Sequence, residues 1–171
     1  MAEPLTMFGE DRAPQTSWEQ FLARRQALEA QMQLEVCDGC DHCGTRCTAG
    51  FDVAQPEWEA VQAYLKTQAP EEVARVRDQE KTLPWPGAEE LEARVTYCRF
   101  RDGENGRCSI YPVRPTICRL FGQTEWLPCP IGAVESYPRG AASVWNQYRL
   151  EKRKPWEEWQ EEENLLGMSN R

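Results

Sequence analysis

Long hydrophobic runs are missing from the sequence. No stretch approaches the roughly 18 consecutive apolar residues that a membrane-spanning helix needs, so we expect no membrane partner. Residues 1–14 also lack a basic stretch followed by an apolar run, which is the pattern of a secretory signal. We therefore expect the protein to work in the cytoplasm.

Positive charge is scarce as well. The chain has 20 Lys and Arg against 28 Asp and Glu, and its formal net charge is -8 at pH 7. Binding to a phosphate backbone needs a positive field, yet the densest basic stretch, residues 149–154, is closely followed by several glutamates. This charge pattern indicates a protein that does not bind nucleic acid.

Common catalytic signatures are also absent. No glycine-rich nucleotide loop follows a predicted strand, and neither a Ser/His/Asp nor an HExxH arrangement occurs. The residues therefore give no direct support for an enzyme, and we leave enzymatic activity open.

Large apolar residues are few, and cysteines stand out in their place. Leu, Ile, Val and Phe account for only 29 of 171 residues, a composition that at this net charge usually signals disorder. The chain has seven Trp and eight Cys instead. Thiols stay reduced in the cytoplasm, so clustered cysteines are better explained as metal or iron–sulfur ligands than as disulfides.

Helical patterns are clearest in the first half of the chain. A capping box that begins at Thr16 predicts a helix over about residues 17–34. Pro56 predicts the start of a second helix, which Pro70 ends, and Pro70 can itself begin a third. Residues 81–87 contain two prolines and a glycine, so we expect a break there.

The second half predicts a short β-hairpin. Residues 95–100 and 107–111 suit two strands, and the turn formers of residues 102–106 lie between them. This hairpin would bring Cys98 close to Cys108.

Two helical segments are predicted after the hairpin. Residues 115–121 suit a short helix that carries Cys118. A Trp-rich C-terminal arm follows, in which a helix restarts at Pro155 and ends at Gly167. Its tryptophans suit a docking face better than a contact to a cofactor.

Together these elements predict a small, mainly helical α+β domain. Its cysteine-rich loops and hairpin would wrap around one or two metal centres. Residues 1–35 would form an N-terminal helical arm, residues 36–130 the metal-binding domain, and residues 131–171 the C-terminal arm.

The most specific motif in the first half is Cys37-x2-Cys40-x2-Cys43-x3-Cys47. This is the cysteine spacing of bacterial ferredoxins, although Thr48 stands where those proteins have proline. Gaps of two residues let the loop turn one thiolate after another toward a cluster. The spacing therefore indicates metal binding.

The other four cysteines are spread widely. Cys98, Cys108, Cys118 and Cys129 follow one another at intervals of ten, ten and eleven residues, so the chain is not a duplicated ferredoxin. Eight thiolates could complete two sites, or one site beside four structural thiols, and zinc accepts the same ligands as an iron–sulfur cluster. The residues leave these alternatives open.

Three other side chains lie close to the cysteines in sequence. His42, the single histidine, could ligate zinc, but we expect it to point outward. Arg114 and Arg119 could contact the cofactor by donating hydrogen bonds to thiolates; the alternative is that they form surface salt bridges.

A second motif gives the sequence a family resemblance. Residues 106–121 contain Cys-Ser-Ile-Tyr, Arg-Pro and Cys-Arg elements, and together with Cys37, Cys40 and Cys43 they resemble the YkgJ-type cysteine-cluster family. Members are described as zinc- or iron-chelating or iron–sulfur proteins and are similar to the cysteine-rich part of flagellin lysine N-methylases. The resemblance covers residues 36–130. The family usually has adjacent cysteines where residues 44–46 separate Cys43 from Cys47 here.

We expect a metal-binding protein of the cytoplasm that carries an iron–sulfur cluster, [4Fe-4S] in type, in an electron-transfer or accessory role. The alternatives are a zinc-stapled interaction module and an enzyme related to the lysine methylases. A protein partner would dock on the Trp-rich arm. The expected ligands are all eight cysteines, with Cys47 and Cys129 contributing less than the others because one is displaced and one lies between prolines.

Overall fold

The computed structural model describes residues 17–38 and 40–169, without the side chains of residues 168 and 169. This part of the chain forms six α-helices and three two-stranded antiparallel sheets, which confirms the predicted α+β class. The helices are α1 (Ser17–Glu29), α2 (Gln55–Leu65), α3 (Pro70–Arg77), α4 (Thr116–Leu120), α5 (Ala141–Tyr148) and α6 (Trp156–Ser169). The strands are β1 (Asp52–Ala54), β2 (Thr82–Pro84), β3 (Arg94–Thr96), β4 (Gln123–Thr124), β5 (Leu127–Pro128) and β6 (Arg153–Pro155). No helix within the described ranges has the length and apolar character needed to cross a bilayer.

The first predicted helix is shorter than expected. It ends at Glu29, because the backbone amides of Gln31 and Met32 donate to carbonyls three residues back and so tighten the last turn. The predicted N-terminal cap, Thr16, lies outside the described residues. A 3-10 turn at Leu34–Cys37 follows and carries the first cysteine.

The second and third helices are confirmed. Pro56 and Pro70 lie in the first turns of α2 and α3, where the missing amide hydrogen costs no helical bond. Trp58 and Val61 of α2 are buried, as their spacing predicts. The predicted break at residues 81–87 contains a strand, β2, because its backbone pairs with β3 further along the chain.

The predicted hairpin over residues 95–100 and 107–111 is confirmed only next to its turn. There the amides of Asp102 and Ser109 donate to the carbonyls of Arg107 and Phe100, both at 2.8 Å, and Arg101 and Cys108 form an isolated antiparallel bridge. The strands are shorter than predicted because the chain also turns after Cys98, whose carbonyl accepts from the amide of Arg101 at 3.0 Å. A second tight hairpin is formed by β4 and β5.

The C-terminal arm packs into the rest of the domain. β6 pairs with β1, and α5 packs against α1. Trp156 and Trp159 are buried, and the indole of Trp159 donates to the carbonyl of Val53 at 2.9 Å. The predicted end at Gly167 is wrong, since this residue does not adopt the left-handed conformation that terminates helices and α6 continues to Ser169.

Two apolar clusters form the core, and cysteines belong to one of them. The first cluster unites α1, α4 and α5 through Phe21, Leu28, Met32, Ala54, Leu120, Ala141, Val144 and Tyr148. The second contains Val53, Trp58, Val61, Cys98, Phe100, Ile110, Trp156 and Trp159, with Cys47 and Cys108 packed against it. Aromatic rings and thiols therefore supply much of the burial that the few aliphatic residues cannot.

A buried carboxylate connects four helices. Glu57 of α2 accepts hydrogen bonds from the amide and hydroxyl of Thr116 at 2.7 and 2.6 Å, and from the hydroxyl of Tyr148 at 2.5 Å. The guanidinium of Arg25 approaches it at 3.3 Å. Burial and the negative charge of Glu57 raise the pKa of Tyr148, so its hydroxyl keeps its proton and donates. The carboxylate thus joins α1, α2, α4 and α5.

Replacing Glu57 with glutamine should destabilise the domain strongly. E57Q removes one of the two carboxylates that face Arg25, the other being that of Glu29, and turns an amide group toward buried donors, so we expect the free energy of unfolding to fall by about 3 kcal/mol. The matched control E59Q changes an exposed residue of the same helix and should stay within about 0.5 kcal/mol of the wild type. Urea unfolding of both variants tests this, and equal stability of E57Q and E59Q would contradict it.

Candidate metal centre

Most of the cysteines face one cavity. Its volume is about 750 Å³, and its wall includes seven of the eight cysteines: Cys37, Cys40, Cys43, Cys47, Cys98, Cys108 and Cys118. Cys129 follows the lining residue Leu127 by two positions. All eight are free thiols. The fold therefore collects thiols from loops, from α4 and from both halves of the chain.

Two thiols of the first motif lie on successive 3-10 turns, and the third, Cys40, lies between these turns. Cys37 ends the turn Leu34–Cys37, and Cys43 lies in the turn His42–Arg46. The amide of Cys40 donates to the carbonyl of Cys37 at 3.1 Å, which keeps the connection short. These short turns bring three sulfurs to one side of the loop.

The hairpin of β4 and β5 adds Cys129 to these three. Gly122, just before β4, has a φ of 80°, and a Cβ atom built on it would lie 3.4 Å from the sulfur of Cys43 and 3.8 Å from the Cα of Cys129. The next residue, Gln123, donates its side-chain amide to the sulfur of Cys37 at 3.4 Å. We call Cys37, Cys40, Cys43 and Cys129 the outer group.

The electrostatics of the outer group are uneven. Burial and, to a smaller extent, the neighbouring sulfurs of Cys37 and Cys129 together raise the pKa of Cys43 to about 11. The pKa of Cys129 is lowered instead: burial acts against the thiolate, but backbone amides of residues 131–134 donate to the sulfur and outweigh it. A bound cation would relieve the repulsion among these sulfurs.

Cys47 is directed away from the outer group and toward Cys98. The amide of Cys98 donates to the carbonyl of Cys47 at 2.8 Å, beside an antiparallel bridge between Thr48 and Tyr97. The thiol of Cys47 donates to the sulfur of Cys98, which raises the pKa of Cys47 and lowers that of Cys98. Cys98 is only 4% exposed.

Cys108 and Cys118 complete a second set of four. The chain folds back at residues 102–106, and the amide of Ser109 donates to the carbonyl of Phe100 at 2.8 Å, which brings Cys108 beside Cys98. Burial raises the pKa of Cys108 to about 11. Burial also raises the pKa of Cys118 on α4, and the sulfurs of Cys98 and Cys108 raise it further. We call Cys47, Cys98, Cys108 and Cys118 the inner group.

The turn that positions Cys108 is organised by Asp102. Its buried carboxylate accepts from the guanidinium of Arg75 at 2.7 Å, from the amide of Gln79 at 2.9 Å and from Asn105 at 3.0 Å. The hydrogen bond from Arg75 holds the pKa of Asp102 well below its usual range.

The loop of the first motif rests directly on this turn. A Cβ atom at position 44 would lie 2.0 Å from the carbonyl oxygen of Gly106, so only glycine fits there. Arg101 also donates to the carbonyl of Gly44 at 2.8 Å. Since Gly44 follows Cys43 and Gly106 precedes Cys108 by two residues, this contact sets the distance between the two groups.

The two predicted arginines have different environments. Arg114 lies over the ring of Tyr111, 3.6 Å from its centroid, and its positive charge acts on Cys37 and Cys43 as well as on Cys108 and Cys118. Arg119 donates to the carbonyls of residues 112 and 114 and to Glu29, so it supports the loop that carries Arg114.

One buried polar atom in the site fits a bound thiophilic metal group. The Nε of Arg114 is buried and has no hydrogen-bond partner among the described residues. A sulfur bound to metal would supply the acceptor that this group lacks.

His42 is exposed and forms no part of the cavity wall. Within residues 17–38 and 40–169, no three His, Cys, Asp or Glu side chains are arranged so that one ion could bind them together. The thiols gather without converging on a point.

Sequence reasoning did not identify several of the residues that shape the site. Gln123 and the amides of residues 131–134 are polar groups without a cysteine-like signature. Gly122 and Gly44 belong to no recognised motif, although a glycine one residue after Cys43 is a local signal that close backbone contact is needed.

The chain is similar to a known family of cysteine-rich domains. A family model described as CxxCxxCC, putative zinc- or iron-chelating domain, matches residues 36–153, which is more than half of the chain. No curated protein and no solved structure matches the chain.

Alanine at position 44 should disturb the contact between the two thiol groups. The added methyl group would overlap the Gly106 carbonyl, and we expect G44A to lower the free energy of unfolding by about 1–3 kcal/mol. The control G103A places a methyl group 3.4 Å from the flexible side chain of Gln79 and should change stability little. Thermal and urea unfolding compare them; an unaffected G44A would mean that the loop does not rest on the turn.

The contribution of Asp102 to the free energy of unfolding should be complete above the ordinary pKa of an aspartate, near 4. Its folded-state pKa is lowered, so its contribution is present above that range and is lost as the pH falls through the folded-state value. D102N should therefore unfold more easily than the wild type at pH 7, and this difference should narrow toward pH 2. The exposed pair of Asp78 with Arg77 offers the control D78N, which should differ little from the wild type at either pH. Urea unfolding across this range provides the test, and a D102N deficit that stays constant would contradict the assignment.

Proposed function

The chain belongs to the CxxCxxCC family of zinc- or iron-chelating domains, and we propose that it binds iron–sulfur clusters through its cysteine thiolates and serves as a cytoplasmic electron-transfer or accessory protein. The observation that carries this proposal is the cavity of about 750 Å³ with seven cysteines in its wall. Thiolates are the usual protein ligands of iron–sulfur clusters.

The spacing of the thiols supports a cluster over a single zinc ion. Four sulfurs that bind one Zn²⁺ lie about 2.3 Å from a common point. No three candidate ligands in the described part of the chain approach that arrangement. The thiolates of a cubane cluster bind different irons, so they need to surround a volume and not to meet at a point.

The polar groups around the cysteines support the same assignment. The side-chain amide of Gln123 already donates to the sulfur of Cys37, and the buried Nε of Arg114 is available to another sulfur. Hydrogen bonds and positive charge of this kind offset the negative charge of several thiolates and tune the reduction potential of a cluster. A bound cluster would supply one-electron transfer, while these residues would hold and orient it.

An electron-transfer role requires a protein partner, which we propose to dock near the C-terminal arm. Trp156 and Trp159 of the arm are buried within the domain. The large apolar side chains that the described part of the arm exposes are Ile131, Leu150, Leu165 and Leu166, and the last two lie together on the last turns of α6. A partner on this arm would therefore contact leucines and not tryptophans.

Metal and sulfide analysis of anaerobically purified protein tests the proposal. We expect a brown protein with visible charge-transfer absorbance and equal amounts of iron and acid-labile sulfide. A colourless protein with stoichiometric zinc and no sulfide would overturn the iron–sulfur assignment and favour the zinc-stapled module. A protein without stoichiometric metal of either kind would overturn metal binding altogether.

A further inference from the structure

We infer that the chain binds two separate metal centres, one held by the outer group (Cys37, Cys40, Cys43, Cys129) and one by the inner group (Cys47, Cys98, Cys108, Cys118). This inference rests on the proposed function and adds the number of centres and the ligands of each. It also means that the cysteines divide in space differently from the way they divide along the sequence.

The position of Cys47 is the first reason. By sequence it is the fourth member of the ferredoxin-like motif, yet it lies just beyond the 3-10 turn His42–Arg46 that carries Cys43, where its backbone amide caps the end of that turn. Its carbonyl accepts from the amide of Cys98 at 2.8 Å, and its side chain packs against the apolar cluster that contains Cys98. Both the backbone and the side chain of Cys47 therefore belong to the inner group.

The position of Cys129 is the second reason. The hairpin of β4 and β5 places Gly122 against the sulfur of Cys43 and Gln123 against the sulfur of Cys37. Cys129 directly follows the last residue of that hairpin. It supplies the fourth thiol that the first motif loses when Cys47 turns away, so each group has the four ligands that a cubane cluster takes.

The charge of Arg114 fits two adjacent anionic centres. The guanidinium acts on Cys37 and Cys43 of the outer group and on Cys108 and Cys118 of the inner group. Two centres with four thiolates each would repel one another, and a cation within reach of both reduces that repulsion.

The two groups differ in their surroundings. Cys98 belongs to the second apolar cluster, and Cys47 and Cys108 pack against it. The outer cysteines lie on turns and beside a hairpin, and none of them belongs to either cluster. The inner centre should exchange its metal slowly, because release requires the core to open.

Two variants that differ at one position provide the decisive test. Both replace Cys37, Cys40 and Cys43 with serine; the first adds C129S, and the second adds C47S. We expect the first to retain half of the wild-type metal, because the inner centre is complete. The second should retain almost none, because it damages both centres. Serine is a poor replacement, since a hydroxyl is a harder and much less acidic ligand than a thiol.

A grouping by sequence predicts the opposite result. If Cys47 shared a centre with Cys37, Cys40 and Cys43, the C47S variant would keep half of the metal and the C129S variant would lose nearly all of it. That result would overturn the partition and leave the proposed function intact. Loss of all metal from both variants would also overturn it, since the eight thiols would then act as one site.

A measurement on the unmodified protein removes the dependence on how the variants fold. Metal release from the wild type to a strong chelator should occur in two phases of equal amplitude. The fourfold variant that combines C37S, C40S, C43S and C129S should show the slow phase alone. A single phase in a wild type that contains stoichiometric metal would contradict two centres. A wild type without metal would contradict the proposed function itself.

Discussion

The buried carboxylate of Glu57 is the interaction on which the rest of the structure depends. A charge at this depth is costly unless donors surround it, and here the amide and hydroxyl of Thr116, the hydroxyl of Tyr148 and the guanidinium of Arg25 all meet it. Each donor comes from a different helix, so the carboxylate fixes three helices against α2. One of them is α4, whose first residue is Thr116 and which carries Cys118. The placement of an inner thiol is therefore set by a polar contact two residues earlier in the same short helix.

The thiols converge because the two halves of the chain are joined at several points. β1 with β6 is an antiparallel pair between distant segments, and the bridge from Thr48 to Tyr97 brings the first cysteine loop to the start of the second set of cysteines. The close approach of Gly44 to the Gly106 carbonyl adds a contact that permits no side chain. Short strands of two or three residues would be weak as isolated sheets. Here the short strands connect segments of the chain, and the packing of the surrounding side chains stabilises them.

Much of the helical structure could be predicted from the sequence, because prolines mark the starts of α2 and α3 and the buried stripe of α2 follows helical spacing. The predicted hairpin strands were too long because strand propensity does not reveal the pairing partner: β3 pairs with the upstream strand β2, and the chain turns after Cys98. The spacing of the cysteines in the first loop indicated metal binding. Their division into groups could not be predicted, because it depends on a backbone bond between Cys47 and Cys98 and on a left-handed glycine at position 122. The buried acids Glu57 and Asp102 carry no sequence pattern that separates them from the many exposed acids.

The high cysteine content of the chain serves both its apolar core and its candidate metal site. A chain with so few aliphatic residues has only three of them in its second apolar cluster; three tryptophans, a phenylalanine and a cysteine complete it, and two more cysteines pack against it. Thiols pack well as small apolar groups while they are protonated, and burial favours that state by raising the pKa of Cys108 and Cys118. The same atoms become ligands when a metal displaces their protons. The inner cysteines therefore serve the core and the site together, whereas the outer cysteines lie on turns that the core does not need. The inner group therefore has both a structural and a functional role, whereas the outer group has a functional role alone.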